Sequence, residues 1–294
     1  MILYHYCSVE KFFKIIENKT LRLTDLAHTN DSLEVKYGLN QLYKYYFEIT
    51  KNEPSQELKK MMWLNNRGAY AICFSEDGDL LSQWRGYADD GKGFSVGFDF
   101  DTFGIDKKYP WNSSIKKDAI GYEQIVYKYE DVKRILKNNE ILKQRGCDTT
   151  SIPDLETLWS SIIANEKSSI KELDNIYIGL GDFSFFIKNP AFKEEKEWRI
   201  VYRDTFYNTI DIQRKYENKQ EFDHLKHFYM KNDIVSSYFD WNFMDIIPNN
   251  PIKTIVFGPN CKCSVDDIQL FLFNNGFEVI NKISFQSSNA SYRI

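Results

Sequence analysis

The sequence predicts an α+β fold: a single elaborated domain over residues 1–294, with β-patterned stretches early and late and a helical insertion at 129–180. Three observations predict it. Nearly continuous apolar runs at Ala69–Ser75 and Gly93–Phe98 suit buried strands. Amphipathic helical stripes recur between the strands, as in Val9, Phe12, Phe13, Ile15 and Ile16. No repeat, low-complexity segment or Gly/Ser-rich linker divides the chain.

Taken in order, Ile2–Tyr6 reads as the first strand, Ser8 as a helix N-cap and Leu21–Leu23 as a returning strand. His5 therefore ends a strand just before a helix, and reads either as a ring bonded to backbone or as a ligand-facing group. Asn30, Asp31 and Glu34 open a helix expected to reach about Phe47, where capping and ligand binding are both open to them. Pro54 is expected to start another, reaching Trp63. Between the two apolar strands, Leu80–Ala88 carries Trp84, Arg85 and Tyr87 together, either capping a sheet edge or overlying a cleft. A strand at 119–127, a polar helix from Glu130 to Gln144 and a helix from Asp154 to about Asn175 come next, with β patterning resuming near Phe183.

The stretch Glu194–Arg203 follows. As a strand it places Trp198, Ile200 and Tyr202 on one face and Glu195, Glu197, Arg199 and Val201 on the other. The first face suits a core, and the second suits a solvated edge or the floor of a polar cleft. Beyond it lie an extended segment at Thr209–Ile212 and a polar helix-like run in which His224 and His227 have i, i+3 spacing without a third ligand at motif spacing. The chain closes with a strand at Ile252–Phe257, a helix capped by Ser264 and stopped by Gly276, and a last strand at Phe277–Ile280. Cys261-Lys262-Cys263 lacks the spacing and second pair of a zinc ribbon and reads as a loop, so no metal is expected.

Composition is that of a globular protein: 43% hydrophobic and 27% charged, with 22 Phe and 19 Tyr. A net charge of -4 argues against holding nucleic acid by overall electrostatics, while leaving a local basic patch, and so nucleic acid, open. Five scattered cysteines and an opening without a secretory pattern lead to the expectation of a cytoplasmic protein. No apolar run approaches the roughly 18 to 20 residues that span a bilayer, so no membrane partner is expected.

There is no phosphate-cradling Gly motif, G-x-S-x-G elbow or H-E-x-x-H helix, which argues against nucleotide kinases, α/β-hydrolases and zincins. What is left is one His after the first strand, an aromatic-Arg connection and a carboxylate opening a late strand. Those groups suit the splitting of a glycosidic bond whose leaving group is already cationic. A carboxylate stabilises the oxocarbenium ion, an aromatic ring stacks on the departing nicotinamide, and a His hydrogen-bonds the other end of the cofactor.

His5-Tyr6-Cys7-Ser8, the helix ending Ile15-Ile16 and Leu21-Arg22-Leu23 are together similar to the opening of the ADP-ribosyltransferase fold, in its diphtheria-toxin and poly(ADP-ribose)-polymerase branch. Cys73-Phe74-Ser75 through Tyr87 looks like that branch's nicotinamide-stacking region, and Glu197-Trp198-Arg199-Ile200-Val201-Tyr202 looks like its catalytic strand. The resemblance implies a mixed, mainly antiparallel sheet and NAD as substrate. It implies Glu197 as the catalytic residue, with His5, Ser8, Trp84, Arg85, Tyr87 and Arg199 around NAD. Arg199 is one residue more than that strand carries, which leaves Glu194 and Glu195 open as alternatives to Glu197, and Trp84 stands where the branch has a small residue.

The chain also resembles a bacterial family of uncharacterised proteins marked by H-Y-x-S, N-D-x-x-E, C-F-S, W-R-x-Y, E-W-R-x-V-Y and a terminal Tyr-Arg, here Tyr292-Arg293. The function implied by the transferase resemblance is ADP-ribosyl transfer to a macromolecular acceptor or NAD glycohydrolysis, in toxin-like or phage-defence roles. Two alternatives stand beside it: a non-catalytic protein that binds a nucleotide or a partner through the same cleft, and a nuclease using Asp31, Glu34 and Glu197 with a divalent metal.

Overall fold

A computed structural model of the chain describes residues 1–28, 34–64, 68–105, 120–138, 140–141, 179–204, 226–231, 233–243, 250–279 and 282–290. These form an α+β structure around an open, mixed and mostly antiparallel sheet. Strand β3 (Ala69–Ser75) is its branch point. Along one edge it pairs over its whole length with β6 (Glu197–Arg203), which in turn pairs with β5 (Ile120–Gln124). The other edge is divided: Ser75 faces Tyr4 of β1 (Ile2–Cys7), whereas Ala71 and Tyr70 face Thr24 and Asp25 of β2 (Thr20–Asp25).

The sheet therefore forks. One arm continues from β1 through β4 (Phe94–Asp99) and β9 (Ile252–Phe257) to β10 (Ser284–Ser287), and the other from β2 through β8 (Ile234–Asn242) to β7 (His227–Lys231). Among the described strand pairs only β9 and β10 run parallel.

The fork is filled by helix α1 (Val9–Asn18), whose Ser8 cap accepts the Lys11 N–H at 3.3 Å. Phe12, Ile15 and Ile16 turn inward, and Phe12 lies 4.4 Å from Phe94, ring centre to ring centre. This first core takes residues from both arms, including Leu3, Leu23, Phe98, Phe239, Trp241 and Ile255. A second core covers the opposite face. There α2 (Glu34–Thr50), α3 (Gln56–Leu64), α5 (Tyr129–Lys137) and a helical turn at 179–184 pack Leu42, Tyr45, Leu136, Phe183 and Phe186 onto Ala69, Ala71 and Val201.

Strand β6 is thus covered on both sides. Its Trp198, Ile200 and Tyr202 face the first core as the alternation requires, but its charged face is not a solvated edge: Glu197, Arg199 and Arg203 are all buried.

Several boundaries differ from the sequence expectation. β patterning does not resume near Phe183; the run is helical and then irregular, with Phe183, Phe185 and Phe186 all buried. Phe183-Ser184-Phe185 alternates as a strand would, and periodicity alone does not separate a short buried run of helix from strand. His227 belongs to β7, opposite Tyr238, rather than to a helix. The last strand is Ser284–Ser287, because Gly276 (φ 83) ends α6 (Val265–Asn274) and the Phe277 N–H then bonds back to Leu272 O at 3.1 Å. Helix α5 ends at Lys137. The expected helix from Asp154 to about Asn175, the segment Thr209–Ile212, and Asn30, Asp31 and His224 lie outside the described residues.

Gly38 decides how closely α2 meets the 179–184 turn, since a Cβ there would sit 2.2 Å from Ser184 O. Gly38→Ala is expected to lower the urea midpoint. Helix propensity favours Ala by about 1 kcal/mol, but forcing two backbones apart costs about 1–3 kcal/mol or more; a midpoint that rises would show that the helices separate freely.

Candidate functional site

The end of β3 and the start of β6 meet beneath α4 (Leu81–Tyr87). Helix α4 is held there by the 76–80 connection, which wraps the aromatic face of β1. The Tyr6 hydroxyl donates to Asp77 O at 2.7 Å and accepts from the Leu80 N–H at 2.9 Å. Gly78 lies flat on Tyr4, where a Cβ would come within 2.5 Å of the ring. Trp84 turns away from the opening into a small core with Tyr6, Ala88 and Val256, and its Nε1–H donates to Asp79 Oδ1 at 2.7 Å. Asp79 also accepts from the Ser288 hydroxyl and from the Asn289 N–H, which ties the tail after β10 to the base of α4.

The resulting pocket is lined by Tyr4, His5, Tyr6, Cys73, Phe74, Gln83, Tyr87, Glu195 and Glu197, and has a volume of about 60 Å³. That admits a few waters or one small polar group, whereas clefts for whole organic ligands run to roughly 300 Å³ and more. His5, Tyr87 and Glu197, from β1, α4 and β6, therefore reach one cavity. The other predicted residues do not line it. Ser8 caps α1, Trp84 is fully buried, Arg85 lies exposed on α4, and Arg199 is buried behind Glu197. Glu194 is exposed, but Glu195 lines the pocket.

Glu197 is 3% exposed and both its oxygens are engaged. Oε1 accepts from Arg199 Nε at 2.5 Å and Oε2 from Lys188 Nζ at 2.7 Å, while its own N–H donates to the Tyr127 hydroxyl at 3.0 Å. Burial opposes its ionisation more than any other single influence, yet the charges and hydrogen bonds of Arg199 and Lys188 together hold its pKa down at about 2. Arg199 also donates to Phe185 O at 2.8 Å. Glu195 ends a 3-10 turn (Pro190–Glu195), and Lys196 in the left-handed region (φ 46) swings the chain into β6, so that both carboxylates line the pocket. Burial pushes the Glu195 carboxyl up, although Lys188 Nζ lies 2.6 Å from its Oε2.

His5 Nδ1 is 3.0 Å from Cys73 O. A carbonyl only accepts, so Nδ1 carries the proton and Nε2 keeps a lone pair in the neutral ring, the form favoured because burial pushes its pKa down. Both readings of His5 therefore apply: it is bonded to backbone and it faces the pocket. Burial and then the Glu195 charge push the Tyr87 hydroxyl up. Cys73 is open to solvent through the pocket, but the protein packed around it and the Glu197 charge push its thiol well above the ordinary range, which makes it a poor nucleophile.

Sequence reasoning passed over Gln83, Cys73, Tyr4, Tyr127 and Lys188. Gln83 carried a usable signal, being i, i+4 from Tyr87 on one helical face; Lys188 carried none, because only the fold returns it beneath β6. Among the described residues no group of three or more His, Cys, Asp or Glu is placed to hold a metal, and no helix is long and apolar enough to cross a membrane.

Residues 83–200, less than half of the chain, match the model of a family described as "Protein of unknown function (DUF2971)". That segment runs from Gln83 into β6 and bears out the resemblance to a family of uncharacterised proteins. Comparison with curated proteins and with solved structures found no match, so the resemblance to ADP-ribosyltransferases rests on the sequence blocks alone.

A pH dependence follows from Glu197. Its folded pKa of about 2 lies below the ordinary 4.5, so the stabilisation is complete above about 4.5 and is lost as pH falls towards 2. Glu195, shifted up, acts in the opposite sense: it favours the folded state below the ordinary carboxylate value and loses that effect as pH rises through its folded value. Urea titrations across this window are expected to show the acid loss in the native chain and a flatter profile in Glu197→Gln. That variant is also expected to be about 3 kcal/mol less stable at neutral pH, because Lys188 and Arg199 lose their common buried partner.

Proposed function

We propose that the chain is an enzyme that cleaves the glycosidic bond of NAD, releasing nicotinamide and passing the ADP-ribosyl group to an acceptor or to water. The observation that carries this reading is the convergence of His5, Tyr87 and Glu197 on one pocket from three distant parts of the sequence. The carboxylates of Glu195 and Glu197 line the pocket while Arg199 and Lys188 stand behind them, so the wall met by a ligand is the negative side of a nearly balanced cluster. Such a wall favours positive charge developing on a ribose ring.

His5 Nε2 accepts a hydrogen bond from a hydroxyl or an amide, and the half-exposed Tyr87 ring offers a stacking face at the mouth. Glu197 stays ionised throughout and supplies charge, not a proton. Glu195, bonded by Lys188 through Oε2, keeps Oε1 for a hydroxyl of the ligand or the attacking group. At about 60 Å³ the pocket is smaller than clefts that hold whole organic ligands, so this reading requires the roof formed by α4 to open on binding.

The double pairing of Glu197 favours one other reading, a protein that binds a nucleotide without turning it over, since much of the carboxylate charge is already balanced. Incubation of the purified chain with NAD separates the two. Release of nicotinamide is expected, falling by about 100-fold or more in Glu195→Gln and in Tyr87→Ala; these positions report more cleanly than Glu197, whose loss also destabilises the fold. Saturable NAD binding without nicotinamide would favour the binding protein, and neither binding nor release would sink both.

A further inference from the structure

Lys188 belongs to none of the motifs, yet it joins the two carboxylates of the pocket. Its backbone is fixed just beyond β5, where the Lys188 N–H donates to Val126 O at 3.1 Å and the Val126 N–H donates to Phe186 O at 2.7 Å. From this anchor the side chain runs beneath the pocket. Nζ lies 2.6 Å from Glu195 Oε2, 2.7 Å from Glu197 Oε2 and 4.8 Å from the centre of the Phe192 ring, and the residue is 6% exposed.

The arrangement is asymmetric. Arg199 Nε bonds Glu197, so Glu197 keeps a cation even without Lys188. Among the described residues Glu195 is paired with Lys188 alone. Two carboxylates this close in a site shielded from water do not both ionise unless a cation lies between them; without one they share a proton. A lysine that served only to fill space would be replaceable by a hydrophobic residue of similar length at little cost. What such a replacement cannot do is keep Glu195 ionised.

We propose that Lys188 is a positioning residue of this site, which holds Glu195 and Glu197 side by side as two carboxylates so that a ligand entering between His5 and Tyr87 meets an anionic Glu195. The proposal takes the pocket from the NAD reading, but its electrostatic content does not require NAD.

The test uses the full chain with glutamate labelled with 13C at the side-chain carboxyl, the Glu195 signal being assigned by its loss in Glu195→Gln. In Lys188→Met the Glu195 titration midpoint is expected to rise by about one unit or more, and in Lys188→Arg to return most of the way. The acid limb of nicotinamide release from NAD is expected to move and return with it, which loss of packing alone would not produce. If the native chain releases no nicotinamide the NAD reading fails, while the Glu195 titration still judges Lys188. An unchanged Glu195 midpoint in folded Lys188→Met overturns the proposal. Should that variant not fold, the native chain decides: the Lys188 15Nζ signal is expected to shift with the midpoint of Glu195, and a Glu195 titration that leaves it unmoved overturns the proposal equally.

Discussion

The buried ion pairs of Glu197 with Lys188 and Arg199 are the constraint on which the rest of the site depends. Placing these charges out of contact with water costs several kcal/mol for each ion, and only close pairing with completed hydrogen bonds offsets it. The geometry is correspondingly restrictive. Glu197 opens β6, Arg199 lies two residues along the same face, and Lys188 arrives from the segment that follows the 179–184 turn. Farther along the face a second buried charge pair occurs, with Arg203 Nε 2.9 Å from Asp182 Oδ1. The segment that leads into β6 is thus fastened to it by charge as well as by the phenylalanines of the second core.

This fastening explains why a polar pocket can exist in the middle of a large sheet. Strand β3 serves two diverging arms on one edge and β6 on the other, and among the described residues two separate clusters cover its far end. Among the described residues the second core reaches as far as the aromatic cluster around Phe183 and Phe186, and α4 covers Tyr6 with its own Trp84. The gap between them is where His5, Tyr87 and the two glutamates come within reach of one ligand. Its walls differ in make-up: the floor is strand and buried ion pair, whereas the roof is a seven-residue helix with an exposed Tyr87.

The legible parts of the sequence were those in which local physics and burial agree. The Ser8 and Ser264 caps, the apolar run Ala69–Ser75 and the alternation from Trp198 to Tyr202 all carry their structure in short-range chemistry. The β7–β8 hairpin was lost because Phe228, Met230, Ile234 and Val235 are exposed, so its pattern does not follow a buried face. Trp84 and Arg199 show the corresponding limit at the site. Both were expected around a ligand, and both are buried away from the cavity, one bonded to Asp79 and the other to Glu197. Residue type marked them as capable of binding, but their side-chain direction depended on which neighbour needed a donor.

By itself, then, the sequence determined the α+β class, the alternating faces of β6 and the cap and strand positions nearest the site, because each follows from the spacing of side chains along a single segment. Tertiary structure decided that the charged face of β6 is buried, that Lys188 is shared between Glu195 and Glu197, and that Trp84 turns away from the pocket. Those outcomes depend on contacts between segments far apart in the chain, and on the need of every buried charge for a partner, which no local pattern encodes.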